Sequence, residues 1–223
     1  MKPILFNTDM VRGLQNGTKT ATRRVVKDIL PSDKMLLFDD NRMGYGWKAV
    51  FERIGSPHLV VSAPYRPGDI LYVRETWQEV YETEHDVDGS RRTVNIRDLI
   101  LNFDDIPKVE AGISHDCATA MMEPRMKYYV FKASDIAYAD PTNGLVWRPS
   151  IHMPREAARI FLRVADVRVE QLYAITGKQA RAEGFLTRDA FIRAFLTMYP
   201  DCTVKSWVWA IEFERISKEE AMM

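Results

Sequence analysis

A helix cannot easily run through Asn16-Gly17, and the residues beyond it do not favour one. Both residues accept a left-handed backbone, which is how many helices end. Thr18 to Val26 is rich in Thr and Val and has no helical periodicity, so it predicts a strand. Residues 15–24, QNGTKTATRR, therefore predict a helix-to-strand turn that carries one lysine, three threonines and two consecutive arginines. Lys19, just past the turn, points into the space between the two elements. Alternation along a strand sends Arg23 and Arg24 to opposite faces, so only one of them shares a face with Thr22. A fixed lysine, an arginine fork and hydroxyls suit an anion or a polar ring. The plainer reading is a solvated basic edge strand.

The rest of the chain alternates between clear strands and less regular stretches. Residues 3–6 are a short apolar run, and Asn7, Thr8 or Asp9 can cap the helix that brings Met10, Val11 and Leu14 onto one face. Residues 28–60 are broken by Gly44, Gly46, Gly55, Pro31 and Pro57, with strands expected at 47–54 and 58–63. Arg66-Pro67-Gly68-Asp69 is a turn, and the strand 70–75 follows it. Residues 79–126 are polar and poorly periodic. They are expected to form a long insertion, with a solvated acidic loop at 82–89. Residues 127–133 alternate as a strand. Pro149 and Pro154 keep the next segment extended or turned, with Pro154 opening a short turn at Arg155. Residues 159–170 are expected to form the longest strand. Thr176 begins a helix that ends at Gly184, and Thr187 caps a second one with Phe191, Ala194, Phe195 and Met198 on one face. Trp207, Trp209, Ile211 and Phe213 alternate in a last strand, and residues 217–223 are expected to fray.

Gly17, Lys19, Thr22 and Arg23 or Arg24 resemble the G-x-K-x-x-T-x-R signature of the ASCH domain, a small β-barrel related to the PUA domains that bind RNA. The order of elements around the signature is similar too. The runs VRETW (73–77) and PSIHMPREAARI (149–160) resemble those of longer, phage- and prophage-associated members of the group. The resemblance implies an α+β protein. Its core would be a small mixed PUA-like barrel, closed by the last strand and flanked by short helices. Residues 1–216 would form one domain with insertions at about 28–60 and 79–126, the first elaborating the barrel rim.

Composition narrows the functional classes. Thirty-one basic residues balance thirty-one acidic ones in 223, so nucleic-acid contact must rest on local clustering and not on a global field. Cys117 and Cys202 are far apart, and there is no CxxC and no histidine cluster, so no metal is expected. His85, Asp86 and Asp88 are the weak exception. No phosphate-binding glycine loop, nucleotide-cofactor motif or serine nucleophile elbow is present, so no cofactor is expected. With no signal peptide and no apolar run near about 18 residues, the expected setting is the cytoplasm, away from membranes.

Three segments are expected to meet at the mouth of the barrel: Lys19 to Arg24, Arg74 to Trp77, and Trp147 to Arg155. Lys19, Arg23 or Arg24, Arg74 and Arg155 would supply anion contacts, Trp77 and Trp147 stacking faces, Ser150 and His152 hydrogen bonds, and Glu75 a carboxylate. Such a cleft would hold a nucleobase with its phosphate or sugar, in RNA or in a modified nucleoside. Each residue has a plainer role. Glu75 could simply pair with Lys19 or an arginine, the tryptophans could pack, and His152 could be structural. The resemblance also implies a catalytic alternative. Some ASCH proteins are similar to amidohydrolases that remove the acetyl group of acetylcytidine with a Lys, a Thr and a Glu, and others are reported as ribonucleases. Lys19 and Thr22 match the first two. At the long strand where the Glu is expected the chain has Arg163, which leaves Glu75 as a spatial substitute. A third alternative is a phage accessory or assembly protein without catalysis, with a protein partner at the 79–126 insertion.

Overall fold

The computed structural model of the chain describes residues 1–42, 46–81, 108–110, 126–134 and 147–223. It begins with β1 (Lys2–Leu5), α1 (Thr8–Gln15) and β2 (Ala21–Val25). Asn7 caps α1, its side chain accepting the Met10 N–H at 2.9 Å. Gly17 ends the turn in the left-handed region, at φ 75°. β3 (Lys34–Asp39), β4 (Lys48–Glu52) and β5 (Leu59–Ser62) follow, then β6 (Ile70–Arg74) and β7 (Trp77–Tyr81). β8 (Lys108–Glu110) and β9 (Met126–Phe131) come next. The chain ends with β10 (Phe161–Gln171), α2 (Gly177–Ala182), α3 (Arg188–Met198), β11 (Trp207–Ile216) and α4 (Lys218–Met222).

The class is α+β. The described strands form three sheets, ordered β1-β6-β10-β11-β2, β3-β4-β5 and β7-β9-β8, and no closed barrel is found among them. β11 lies between β10 and β2, pairing antiparallel with both, and Phe161 stands opposite Ile216 at one end. A register shift between Val164 and Asp166 marks a bulge in β10.

Four elements depart from expectation. β3, β7 and β8 fall in stretches read as irregular, because their strand character comes from pairing with β4 and β9 and not from clean alternation. The end of the chain, where a frayed tail was expected, forms α4. Ser217 caps α4 through a reciprocal capping box with Glu220, and Ala221 is buried. The loop at 82–89, with His85, Asp86 and Asp88, and Cys117 lie outside the described residues. No described helix is long and apolar enough to cross a membrane.

The chain divides into two compact units: residues 1–2, 13–71 and 161–223, and residues 3–12 and 72–160. In the first, β2, β10 and β11 are covered on one face by α2 and α3. Leu172, Ile175, Ala180, Phe191, Phe195 and Val208 form the apolar cluster there. On the other face Trp207 meets Phe51 edge-on at 5.2 Å and Trp209 meets Phe38 at 6.0 Å. In the second unit Val73, Trp77, Tyr129, Phe131, Met153 and Ile160 are buried.

Both long-range helices begin as their sequence demands. Thr176 accepts the Gln179 N–H, and the Gln179 side chain returns to the Thr176 N–H, completing a capping box on α2. Thr187 accepts the Ala190 N–H at the start of α3. Thr176→Ala is expected to cost about 1 kcal/mol. Hydrogen exchange should show it as faster exchange in α2, with the β10-β11 amides unchanged.

Candidate functional site

Lys19 is the buried centre of the first unit. Its backbone N–H donates to Gly13 at 2.9 Å, and it bridges to Glu183 just past α2. The residue is only 3% exposed. Its ammonium donates to Ala21 O at 2.8 Å, to Glu183 O at 3.2 Å and to Glu183 Oε2 at 2.7 Å, so all three protons have acceptors. Burial pushes the Lys19 ammonium below its ordinary range. Glu183 opposes that shift by contact and hydrogen bond, while Arg24 and Arg23 add to it.

Arg23 joins the same carboxylate from β2. Its Nη1 donates to Glu183 Oε1 at 3.2 Å, and its Nε and Nη2 donate to Glu170 Oε1 at 2.9 and 2.6 Å. The guanidinium also lies 5.7 Å from the Phe191 ring centre. The strand register explains the arrangement. Arg23 stands opposite Ala210 and Glu170 opposite Val208, so Arg23, Val208 and Glu170 share one face of β2, β11 and β10. Two cations and two carboxylates thus form one neutral network, buried except at Glu170. Gly184, at φ 90°, turns the chain directly after Glu183.

Thr22 is buried and stands opposite Ile211, and Arg24 stands opposite Trp209, which puts both on the face away from Arg23. Arg24 is half-buried, with its Nη1 3.5 Å from the Arg23 carbonyl. Arg23, and not Arg24, is therefore the arginine that joins Lys19.

The other expected site residues belong to the second unit. Glu75 is not the carboxylate that holds Lys19: its Oε1 and Oε2 accept from Arg159 Nε and Nη2, each at 2.9 Å. Arg159 also donates to Ser134 Oγ at 2.8 Å and lies 4.2 Å from the Phe131 ring centre. Arg74 donates to Met153 O at 3.0 Å. Trp77 is buried against Tyr129 at 5.7 Å, with the Arg148 guanidinium 5.2 Å above its ring. That is packing, which is the plainer of its two sequence readings. Trp147 is half-buried, Ser150 and His152 bound a single 3-10 turn, and His152 and Arg155 are exposed. Tyr129 donates to Glu156 beside them.

No protein-family model, curated protein or solved structure matches this chain.

Sequence reasoning missed Glu183 and Glu170. A signal for Glu183 was present. A carboxylate at the C-terminal end of a helix opposes the helix dipole and needs a cation to hold it there, and Glu183 sits at that position before the turning glycine. Glu170 left no such mark, because it is one of many charged residues on a long alternating strand. Among the described residues, no group of three or more His, Cys, Asp or Glu is placed to hold a metal ion.

Proposed function

We propose that the chain is an ASCH-type hydrolase of a modified nucleoside, acting on an acylated base at the Lys19 centre. The observation that supports this reading is the contact of 2.7 Å between the Lys19 ammonium and Glu183, both buried, with the lysine held below its ordinary range. A desolvated lysine gives up its proton more readily, and an adjacent carboxylate can accept or return one. Glu183 would supply the carboxylate of the Lys, Thr and Glu set that the resemblance implies, beside Lys19, while Thr22 lies on the opposite face of β2. In the reaction, water adds to the acyl carbon, the bond to the exocyclic nitrogen breaks, and the proton passes to that nitrogen.

The RNA-binding reading loses support at these residues. A phosphate contact needs a cation that is not already neutralised. The Lys19 and Arg23 side chains are paired with carboxylates.

The test is mass spectrometry of acetylcytidine incubated with the wild-type chain, Lys19→Met and Glu183→Gln, with circular dichroism to verify folding. The wild type should release cytidine and acetate, and each folded variant should be slower by about a hundredfold. No release by the wild type, or equal release by the folded variants, would rule the reading out.

A further inference from the structure

One outer strand of the first unit lacks the features that keep sheet edges from pairing, and it shares no residue with the Lys19 centre. β5 lies at the edge of the sheet β3-β4-β5 and, among the described strands, pairs with β4 alone. Exposed strand edges are usually blunted by a charge, a proline or a bulge. The other outer strands of the described sheets all carry charge. Lys2 stands in β1, Arg24 in β2, Lys34 in β3, Glu79 in β7 and Lys108 in β8. β1 adds Pro3, and β3 adds a bulge between Met35 and Leu37. β5 reads LVVS and has none of these.

The register fixes which backbone groups this edge offers. The Ala63 N–H donates to Trp47 O at 2.8 Å, so Trp47 and Ala63 form a hydrogen-bonded pair. Antiparallel pairs alternate between bonded and unbonded. Leu59 and Val61, opposite Phe51 and Ala49, therefore bond to β4. Val60 and Ser62, opposite Val50 and Lys48, turn their N–H and C=O groups away from it. Both residues are exposed, Val60 by 58%. Pro57 and Pro64 bound the stretch and confine an added ladder to the residues between them.

The occupant that fits these groups is the same edge of a second copy. In an antiparallel pairing about a two-fold axis, Val60 of each copy meets Ser62 of the other, and each outward N–H finds an outward C=O. Val61 then stands opposite Val61 of the second copy, a β-branched pair of the kind that stabilises neighbouring strands. No Asp, Glu, Lys or Arg lies between Pro57 and Pro64, so the two edges meet without like charges. The balance of thirty-one basic and thirty-one acidic residues leaves no net repulsion between copies. A peptide recognised by its charges finds no counter-charge on this strand.

We propose that β5 is a self-association edge, through which two copies of the chain join their three-stranded sheets into one antiparallel sheet. An edge of four residues is a small interface, so the association is weak and depends on concentration. The test is sedimentation velocity of the full chain from the low to the high micromolar range, with hydrogen exchange at both ends of that range. The wild type should pass from monomer to dimer. Exchange at the Val60 and Ser62 amides should slow in the dimer, while Leu59 and Val61, already bonded to β4, keep their rates. Ser62→Pro removes an N–H that β4 does not use, and Val60→Lys puts a charge on the edge. Each should weaken the dimer by about tenfold or more, with circular dichroism unchanged. A wild type that stays monomeric throughout, a dimer without slowed exchange at Val60 and Ser62, or folded variants that dimerise as tightly as the wild type would each overturn the proposal.

Discussion

Glu183→Ala should destabilise the first unit by about 3–5 kcal/mol, because it leaves two buried cations facing each other without their shared carboxylate. Lys19 would lose its carboxylate and keep its hydrogen bonds to backbone carbonyls, and Arg23 would keep Glu170. Lys19→Met should cost less, since Glu183 then remains paired with Arg23. Urea denaturation followed by tryptophan fluorescence measures both, and equal losses in the two variants would contradict the shared-carboxylate account. The pH dependence separates them further. In the unfolded chain Lys19 holds its proton up to its ordinary value of 10.5, whereas burial makes the folded chain release it earlier. Between the folded value and 10.5 the unfolded chain binds more protons, so stability contributed by this residue rises with pH and is lost as pH falls through the folded value. The wild type should show that alkaline rise, and Lys19→Met should lack it.

Arg159→Met should cost the second unit about 3–5 kcal/mol, since it strands the Glu75 carboxylate in the interior. Glu75 is 1% exposed, and both of its oxygens are held by the Arg159 fork. Arg159→Lys should rescue little, because a lysine cannot make two parallel hydrogen bonds to one carboxylate. The pairing should appear as a coupling between Arg159→Met and Glu75→Gln in a double-mutant cycle. Additive losses would mean that the two side chains stabilise the unit independently. The same cycle tests the reassignment of Glu75, since a carboxylate committed to Arg159 has no reason to affect turnover of acetylcytidine except through folding.

Much of the secondary structure was legible because it rests on short-range causes. Thr176 and Thr187 cap helices through hydrogen bonds that span three residues, and Gly17 ends a turn because a left-handed backbone costs glycine nothing. The alternation in residues 159–170 and 207–213 marked β10 and β11 with little error at the ends. β3 and β7 were not legible, because a strand with mixed burial is defined by the neighbour that pairs with it. An open or closed sheet is decided the same way. The strands can be read one at a time, but the order β1-β6-β10-β11-β2 depends on contacts far apart in the chain.

The candidate site divides along the same line. Lys19, Thr22 and the two arginines were visible because helix stop, turn and strand fall within ten residues. The sequence by itself determined that a lysine would stand at that turn and that Arg23 and Arg24 would take opposite faces. Only the tertiary structure decided which arginine joins Lys19 and which carboxylate holds them. Glu183 lies 164 residues from Lys19 in the chain, and Glu75 goes to Arg159 instead. The reason is physical. A buried charge must find an opposite charge at hydrogen-bonding distance, and which one it finds is set by strand register and helix placement, neither of which local sequence records.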